Sequence, residues 1–287
     1  MIKRILVIFL VITGIYIIFS NFPVLSLLGF NSTNNQSAEI TERIDSIEIQ
    51  TTSVPTTIIP ENREDLSVDY DGKGTVKIDH KGDTVKVEVT GPTFSFFSIN
   101  RNANLKIFIP EDYNRNMEIK VGSGTLELSG PSKENPMKLD KLEITLGSGK
   151  LELRNLIVNH IDHKGSSGKV DVDNIQSTAS SFDMSSGKLN IHNYSGAIDA
   201  EVSSGEMNIQ IDELNGHSSV KASSGRINLD LPDDADFTLM GKTSSGTINS
   251  EFDLTDENIS KNRLEGKYGT GKYKLDLQVS SGNIRLY

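Results

Sequence analysis

The chain has 287 residues, 24 glycines, no cysteine and a formal net charge of −10. The lack of cysteine excludes disulfides, thiolate metal sites and thiol nucleophiles, and the acidic balance argues against nucleic acid, whose phosphates are bound by clustered Lys and Arg. The many glycines, beside a hydrophobic fraction of 36%, indicate a β-rich fold with many turns.

The first thirty residues are dominated by an apolar segment. As a helix, residues 5–28 would extend roughly 36 Å at about 1.5 Å per residue, and a bilayer core is about 30 Å thick. Lys3 and Arg4 precede the segment and no basic cluster follows it, which predicts a cytoplasmic N-terminus and a chain whose bulk lies outside the cell membrane. We therefore expect residues 1–30 to form a cytoplasmic tip and a single transmembrane helix. A cleaved signal peptide and a buried helix are the alternatives.

Two further regions follow the apolar segment. Residues 31–43 are polar and lack aromatic side chains, which is typical of a flexible linker. We interpret residues 44–287 as one extracytoplasmic domain. Strands are expected over its first part, 44–100, and repeats are clearest over 119–287.

One short phrase returns along this domain: small residues, a glycine, then alternating polar and aliphatic residues, as in LGSGKLEL at 146–153. The intervals between the glycines are 25, 19, 19, 18, 20, 21 and 36 residues, and YGTGKYKL at 268–275 is interpreted as a degenerate copy within the last interval. A period near 19 residues indicates a repeat architecture. The glycines are Gly124, Gly149, Gly168, Gly187, Gly205, Gly225, Gly246 and Gly282.

The residues around each glycine predict two strands per period. Leu189 and Ile191, two and four residues after Gly187, flank the polar Asn190, and most copies share this pattern. Apolar–polar–apolar alternation predicts a strand with one buried face. A second alternating strand precedes each glycine, as at Phe182 and Met184.

Parallel stacking of the copies, about 4.8 Å apart, would merge their aliphatic columns into one core. Asn190, Asn208, Asn228 and Asn249 would then form an outward amide ladder, and glycine would occupy a corner that needs φ > 0 or close backbone approach. We predict an all-β fold: a single right-handed parallel β-solenoid with about 19–20 residues per coil, preceded by the transmembrane helix. A meander or sandwich with antiparallel hairpins at each Ser-Gly is the alternative.

The start of the repeats carries a family resemblance. The stretch LKIFIPEDYNRNMEIKVGSGTLEL at 105–128, together with the repeats that follow, resembles the bacterial putative-adhesin family, and residues 44–72 resemble its N-terminal strands. With the N-terminal anchor, the chain is similar to the LiaG-like, membrane-anchored members associated with a Gram-positive envelope-stress system. The resemblance covers about residues 40–287 and implies the solenoid fold. It supplies no catalytic or binding residue.

The histidines do not predict a metal site. His160 and Asp162 are expected on one strand face and His163 on the other, so three ligands do not converge. We interpret the histidines as solvated coil residues and predict no metal and no cofactor.

Three acids deserve consideration because polysaccharide-cutting solenoid enzymes carry outward carboxylates on neighbouring coils. Asp171, Asp173 and Asp230 are the candidates, but they alternate with aliphatic residues on an open strand rather than lining a cleft. We interpret them as a solvated face and predict no catalytic residue. The segments DYDGKG at 69–74 and GTGKYK at 269–274 lack the full spacing of a calcium loop and of a phosphate loop, and we interpret both as turns.

A column of cations follows the corner glycines: Lys150, Lys169, Lys188 and Arg226. Such a row could bind an anionic wall polymer, or it could be solvated charge balanced by neighbouring acids.

The sequence is compatible with three functions. The first is a non-catalytic, membrane-anchored envelope protein whose repetitive face binds wall polymer, glycan or protein. The second is an accessory of a cell-envelope stress response, acting through a membrane protein partner. The third is a polysaccharide-active enzyme.

Overall fold

The structure, a computed structural model, describes residues 36–72, 74–90 and 103–287. The anchor predicted over residues 1–30 lies outside these ranges, and within them no helix is long and apolar enough to cross a membrane. The described ranges contain only strands as regular elements. They are β1 (Gln36–Glu39), β2 (Ser46–Thr51), β3 (Thr56–Glu61), β4 (Asp65–Asp71), β5 (Thr75–Lys81), β6 (Thr84–Thr90), β7 (Asn104–Pro110), β8 (Asn116–Ser129), β9 (Met137–Glu213), β10 (Ser218–Asp230), β11 (Phe237–Ser250), β12 (Thr255–Ser260), β13 (Arg263–Tyr268) and β14 (Tyr273–Leu286).

The strands bury alternate residues, as the sequence pattern predicts. In β8, Ile119 and Val121 are buried before the corner, and Leu126 and Leu128 are buried after it. Because the side-chain period of a strand is two, every second residue faces one shared aliphatic core. Burial of each such side chain contributes roughly 1.5–3 kcal/mol.

The copies stack in parallel with their glycines in register. Gly124 of β8 lies opposite Gly149 of β9, and Gly205 of β9 lies opposite Gly225 of β10. These registers exclude the antiparallel hairpins at each Ser-Gly and confirm the parallel stacking of the predicted β-solenoid. Its right-handedness stays a prediction.

The last coils do not stack in sequence order. The C-terminal strand β14 lies between β10 and β11, so that Gly225 lies opposite Gly282 and Gly282 lies opposite Gly246. The β12–β13 hairpin explains this order, because β13 pairs antiparallel with the outer side of 237–242 and leaves the inner side of β11 for β14.

The segment at 268–275 is therefore not a degenerate coil, and that prediction was wrong. Gly269 and Gly271 have φ of 67° and 76° and lie in the turn between β13 and β14. The Asp236 carboxylate holds this turn by accepting hydrogen bonds from the Thr270 hydroxyl (2.6 Å) and the Lys272 amide (2.9 Å).

The N-terminal strands are also interleaved. Strand β2 lies between β6 and β8, and β3 pairs in parallel with both β7 and β8. Strand β5 pairs antiparallel with β6, and β4 pairs antiparallel with β7. The expected strand-rich N-terminal part is thus confirmed for the residues of 44–100 that the structure describes.

The first described strand begins inside the range expected to be a linker. Residues 36–39 form β1, which pairs antiparallel with β4, and the Ile40 amide donates to the Glu64 carbonyl at 3.0 Å. Ala38 and Ile40 pack partly buried against the core. A polar composition did not reveal this pairing because two half-buried side chains and backbone hydrogen bonds are enough to order the segment.

Candidate binding face

The corner glycines fix the backbone from which the polar and charged side chains of this face extend. From Gly149 onward, φ at these positions lies between 125° and 155°, and a Cβ atom would lie 1.6–1.9 Å from the carbonyl oxygen of the glycine in a neighbouring coil. Both reasons expected for glycine therefore hold together: a positive φ and a backbone approach that leaves no room for a side chain. Gly124, which begins the column, has φ of 115° but no contact closer than 3.7 Å.

Just beyond the corner, polar side chains link neighbouring coils in a ladder. The Asn190 side-chain amide donates to Asp171 Oδ1 at 2.8 Å, Asn208 donates to Asn190 Oδ1 at 3.0 Å, and Asn228 donates to Asn208 Oδ1 at 2.7 Å. All four side chains are half-buried. We call Asp171, Asn190, Asn208 and Asn228 the amide ladder.

The amide ladder differs from the predicted one at its end. Asn249 does not follow Asn228, because β14 intervenes and places Arg285 between them. At its other end the ladder stops at Asp171, whose carboxylate accepts the hydrogen bond from Asn190.

The basic column is paired with acids. Lys150 contacts Glu152 and lies 3.7 Å from Asp171, and Lys169 lies 2.7 Å from Asp171. Lys188 lies 3.5 Å from Glu206, which is also the register neighbour of Arg226. The interpretation as charge balanced by neighbouring acids is thus the one that the structure supports.

These pairs shift the pKa of two acids downward. Burial alone would raise the pKa of Asp171, but hydrogen bonds from Lys169 and Asn190, with the charges of Lys169 and Lys150, lower it below its usual value. A hydrogen bond with Asn208 is the main cause that lowers the pKa of Glu206. Both groups are therefore anionic at neutral pH.

A second row of asparagines was missed in the sequence. Asn155, Asn174 and Asn193 have φ of 54°, 54° and 51°, and the Asn174 side chain donates to Asn155 Oδ1 at 2.9 Å. Asparagine tolerates the left-handed region better than most residues, so these positions are a second corner of the coil. The constant spacing of 19 residues between them was the signal that could have found this corner.

The three candidate acids do not form a catalytic pair. Asp171 is held by lysine and asparagine, and Asp173 accepts a hydrogen bond from Asn193 at 2.7 Å. Asp173 and Asp230 each stand five residues after a corner glycine, and these two glycines are three coils apart. At about 4.8 Å per coil, the two acids lie roughly 14 Å from each other. Paired glycosidase carboxylates lie about 5–9.5 Å apart. Burial and the charges of the neighbouring acids Asp212 and Asp233 raise the pKa of Asp230.

The histidines behave differently from one another. His160 is exposed, but His163 is 1% exposed and packs 6.2 Å from the Phe182 ring, so its interpretation as a solvated residue was wrong. It occupies an inward position of its strand, where the alternation demands a core side chain. Burial lowers its pKa to about 4, and the Ile144 backbone and the Asp162 and Asp183 carboxylates oppose this only weakly. Within the described ranges, no group of three His, Asp or Glu side chains could hold a metal ion.

The structure thus offers a strip of half-buried amides, flanked by balanced charges, over the four coils from Asp171 to Asn228. The chain belongs to the Toastrack DUF4097 family, whose model matches residues 44–287. No curated protein matches the chain.

Three solved structures are similar to this chain at low sequence identity. A putative cell adhesion protein from Clostridium sporogenes is 12% identical, with 88% of this chain and 98% of that chain covered and a TM-score of 0.28. A putative adhesin from Bacteroides fragilis is 11% identical over 90% and 98% of the two chains, with a TM-score of 0.39. A putative adhesin from Parabacteroides distasonis is 11% identical over 88% and 96%, with a TM-score of 0.42.

Proposed function

We propose that this chain is a non-catalytic envelope protein, anchored through residues 1–30, whose amide ladder binds a neutral, hydroxyl-rich glycan across several coils. The observation that carries the proposal is the amide ladder itself. Asn190 and Asn228 each use one amide hydrogen toward a neighbour and keep a second donor for a ligand, whereas Asn208 bonds both Asn190 and Glu206. Each bridging oxygen keeps a further acceptor site. A row of such groups at the coil spacing suits the repeating hydroxyls of a polysaccharide.

The charges around the ladder favour a neutral ligand over an anionic one. Every lysine of the basic column is within 4.0 Å of a carboxylate, and two of them share Asp171. An anionic polymer would have to displace these carboxylates. Contacts spread over many coils also suit multivalent binding better than a single deep pocket.

The test compares two triple variants of the full-length chain for retention on isolated cell-wall glycan. Replacing Asn190, Asn208 and Asn228 by alanine should reduce the retained fraction at least tenfold, because the ladder loses its free amide donors and acceptors. The matched control replaces Asn135, Asn159 and Asn258, which lie outside the amide ladder, and should bind like the wild type. Equal retention by both triple variants would refute the ladder as the binding face.

The fourfold exchange of Lys150, Lys169, Lys188 and Arg226 for glutamine separates neutral from anionic ligands. We expect retention to change less than twofold, because the three lysines already contact carboxylates and Arg226 lies beside Glu206 in the register. A large loss in low salt, with the difference between the wild type and the variant disappearing as salt is added, would show that the ligand is anionic.

The accessory role in an envelope-stress system depends on residues 5–28 rather than on the described domain. Replacing these residues by a leucine-rich segment of equal length leaves hydrophobicity intact. If the stress response requires the native segment while glycan retention is unchanged, the accessory role is the better assignment.

A further inference from the structure

The two ends of the stacked sheet are closed to different degrees. At the N-terminal end both strands of the outermost coil are covered, β6 by β5 and β7 by β4. At the C-terminal end β13 covers only residues 237–242 of β11. The second half of β11 pairs with β14 on its inner side alone.

The boundary of the covered part is well defined. The Thr243 amide donates to the Asn262 carbonyl at 2.9 Å, and the Asn262 side chain donates to the Ser244 carbonyl at 3.2 Å. From residue 245 to residue 250, none of the described strands lies along the outer side of β11. We call residues 245–250 the open edge.

The open edge lacks the charges and the proline by which proteins often protect an unpaired strand. Its sequence, SGTINS, has no charge and no proline. The neighbouring outermost strand β12 has such protection: Asp256 and Glu257 are charged, Asp256 has φ of 52°, and the register shifts between Thr255 and Asn258. At the other end, β5 contains Lys77, Asp79 and Lys81. Unprotected edges are ready templates for another strand.

Apolar surface accompanies the open edge. Ile248 continues a column in which Ile227 and Ile284 are 0% and 1% exposed, yet it is only partly buried because no further coil covers it. Ile259 of β12 is 67% exposed across a cleft of about 240 Å³ that also contacts Ile248 and Leu264. An added strand would cover both isoleucines.

The charges beside the cleft are self-complementary. Glu257 and Lys261 both line it, and neither has an ion-pair partner within the described part of the chain. A two-fold symmetric contact is reciprocal, so one copy can offer its Glu257 to Lys261 of the other while accepting the reverse pair. A partner of one charge sign would satisfy only one of these residues.

We propose that the open edge pairs antiparallel with the open edge of a second copy of this chain and forms a two-fold symmetric dimer. An antiparallel pair of identical strands is the arrangement that a two-fold axis produces. Because the N-terminal end is covered by β4 and β5, the contact closes at two copies and does not extend into a filament. The paired segment is short, so the dimer is expected to be weak and concentration-dependent.

The experiment measures the mass of the full-length chain by sedimentation equilibrium over a hundredfold concentration range. The wild type should shift from monomer to dimer. Asn249→Lys, which places two like charges across the symmetric edge, should weaken dimerisation at least tenfold, and Thr247→Lys should do the same. The control, Asn258→Lys, adds the same charge to the protected strand β12 and should dimerise like the wild type.

A second readout uses the absence of native cysteine. Single cysteines at Thr247, Asn249 and Ser250 should include at least one that forms a disulfide-linked dimer under mild oxidation, whereas a cysteine at Asn258 should not. A monomer at all concentrations, equal dimerisation of the Asn249→Lys and Asn258→Lys variants, or growth beyond two copies would overturn the proposal. Capture of a different protein, lost in Asn249→Lys, by a chain that stays monomeric would also overturn it.

Discussion

A side chain at Gly225 would meet two obstacles at once. Its φ is 138°, and an added Cβ atom would lie 1.7 Å from the Gly205 carbonyl oxygen. Gly82 separates these effects, because it has φ of 66° and no heavy atom within 4 Å of an added Cβ. The contact at Gly225 is with backbone, so it cannot be relieved by rotating a side chain.

We expect Gly225→Ala to lower the free energy of unfolding by more than about 3 kcal/mol, since backbone strain and a steric clash add. Gly82→Ala should cost about 1–2 kcal/mol, the cost of the left-handed region alone. Asn228→Ser should cost about 1 kcal/mol, because it removes one hydrogen bond of the amide ladder. Urea denaturation followed by circular dichroism measures all three, and similar losses for both glycines would contradict the corner packing.

His163 should make stability depend on pH. Its pKa falls from 6.5 to about 4 on burial, so between these pH values the unfolded chain binds a proton that the folded chain does not. The stability is therefore fully present above about pH 6.5 and decreases as the pH falls toward 4, by about 3 kcal/mol for a difference of this size. Comparing urea midpoints at pH 7 and pH 4.5 measures the decrease.

Carboxylates titrate in the same range, so the comparison needs variants. His163→Leu should reduce the decrease, whereas His160→Leu, at an exposed position, should leave it unchanged. If His163→Leu loses as much stability on acidification as the wild type, protonation of His163 is not the cause.

At the scale of elements, the position of β14 has the largest consequence. It is the parallel neighbour of both β10 and β11, and β11 has no other neighbour on its inner side. The aromatic cluster of Phe237, Phe252 and Tyr268, with ring centroids 4.7–5.6 Å apart, closes the core beside it. Removing a terminal strand here opens the stack internally rather than shortening it by one coil.

Deletion of residues 273–287 should therefore abolish hydrogen-exchange protection over 237–268 while residues 137–213 stay protected. The physical reason is that β11 loses its parallel ladder while β9 keeps its neighbours on both sides. Persistent protection over 237–250 in the deletion variant would show that β11 can pair directly with β10.

At the scale of the whole molecule, the proposed function requires the described domain to lie outside the cell membrane. We expect protease added to intact wall-stripped cells to degrade residues 44–287 and to spare a membrane-bound fragment containing residues 1–30. A cytoplasmic marker protein that stays intact is the control. Full protection of the domain, or a mature N-terminus beyond residue 20, would contradict this topology.

Most of the coil could be predicted from the sequence because its repeat is local. Alternation around Leu189 and Ile191 specifies the buried face, and the recurring glycine specifies the corner. The second corner at Asn155, Asn174 and Asn193 was equally present in the spacing, but one asparagine per coil is a weak signal among many polar residues. The burial of His163 was not predicted because histidine is a polar residue, although its position in the alternation of the strand faces inward.

What the sequence by itself determined is the coil: its length, its two strands, its inward aliphatic residues and its glycine corner, all of which depend on neighbours within about twenty residues. Only the tertiary structure decided the order of the coils at both ends, the pairing of the basic column and the end of the amide ladder at Asn228 rather than Asn249. The physical reason is that every coil presents nearly the same edge, so the repeat does not distinguish one neighbour from another. The β12–β13 hairpin on the outer side of β11 makes that choice, and it places β14 between coils that are consecutive in the chain.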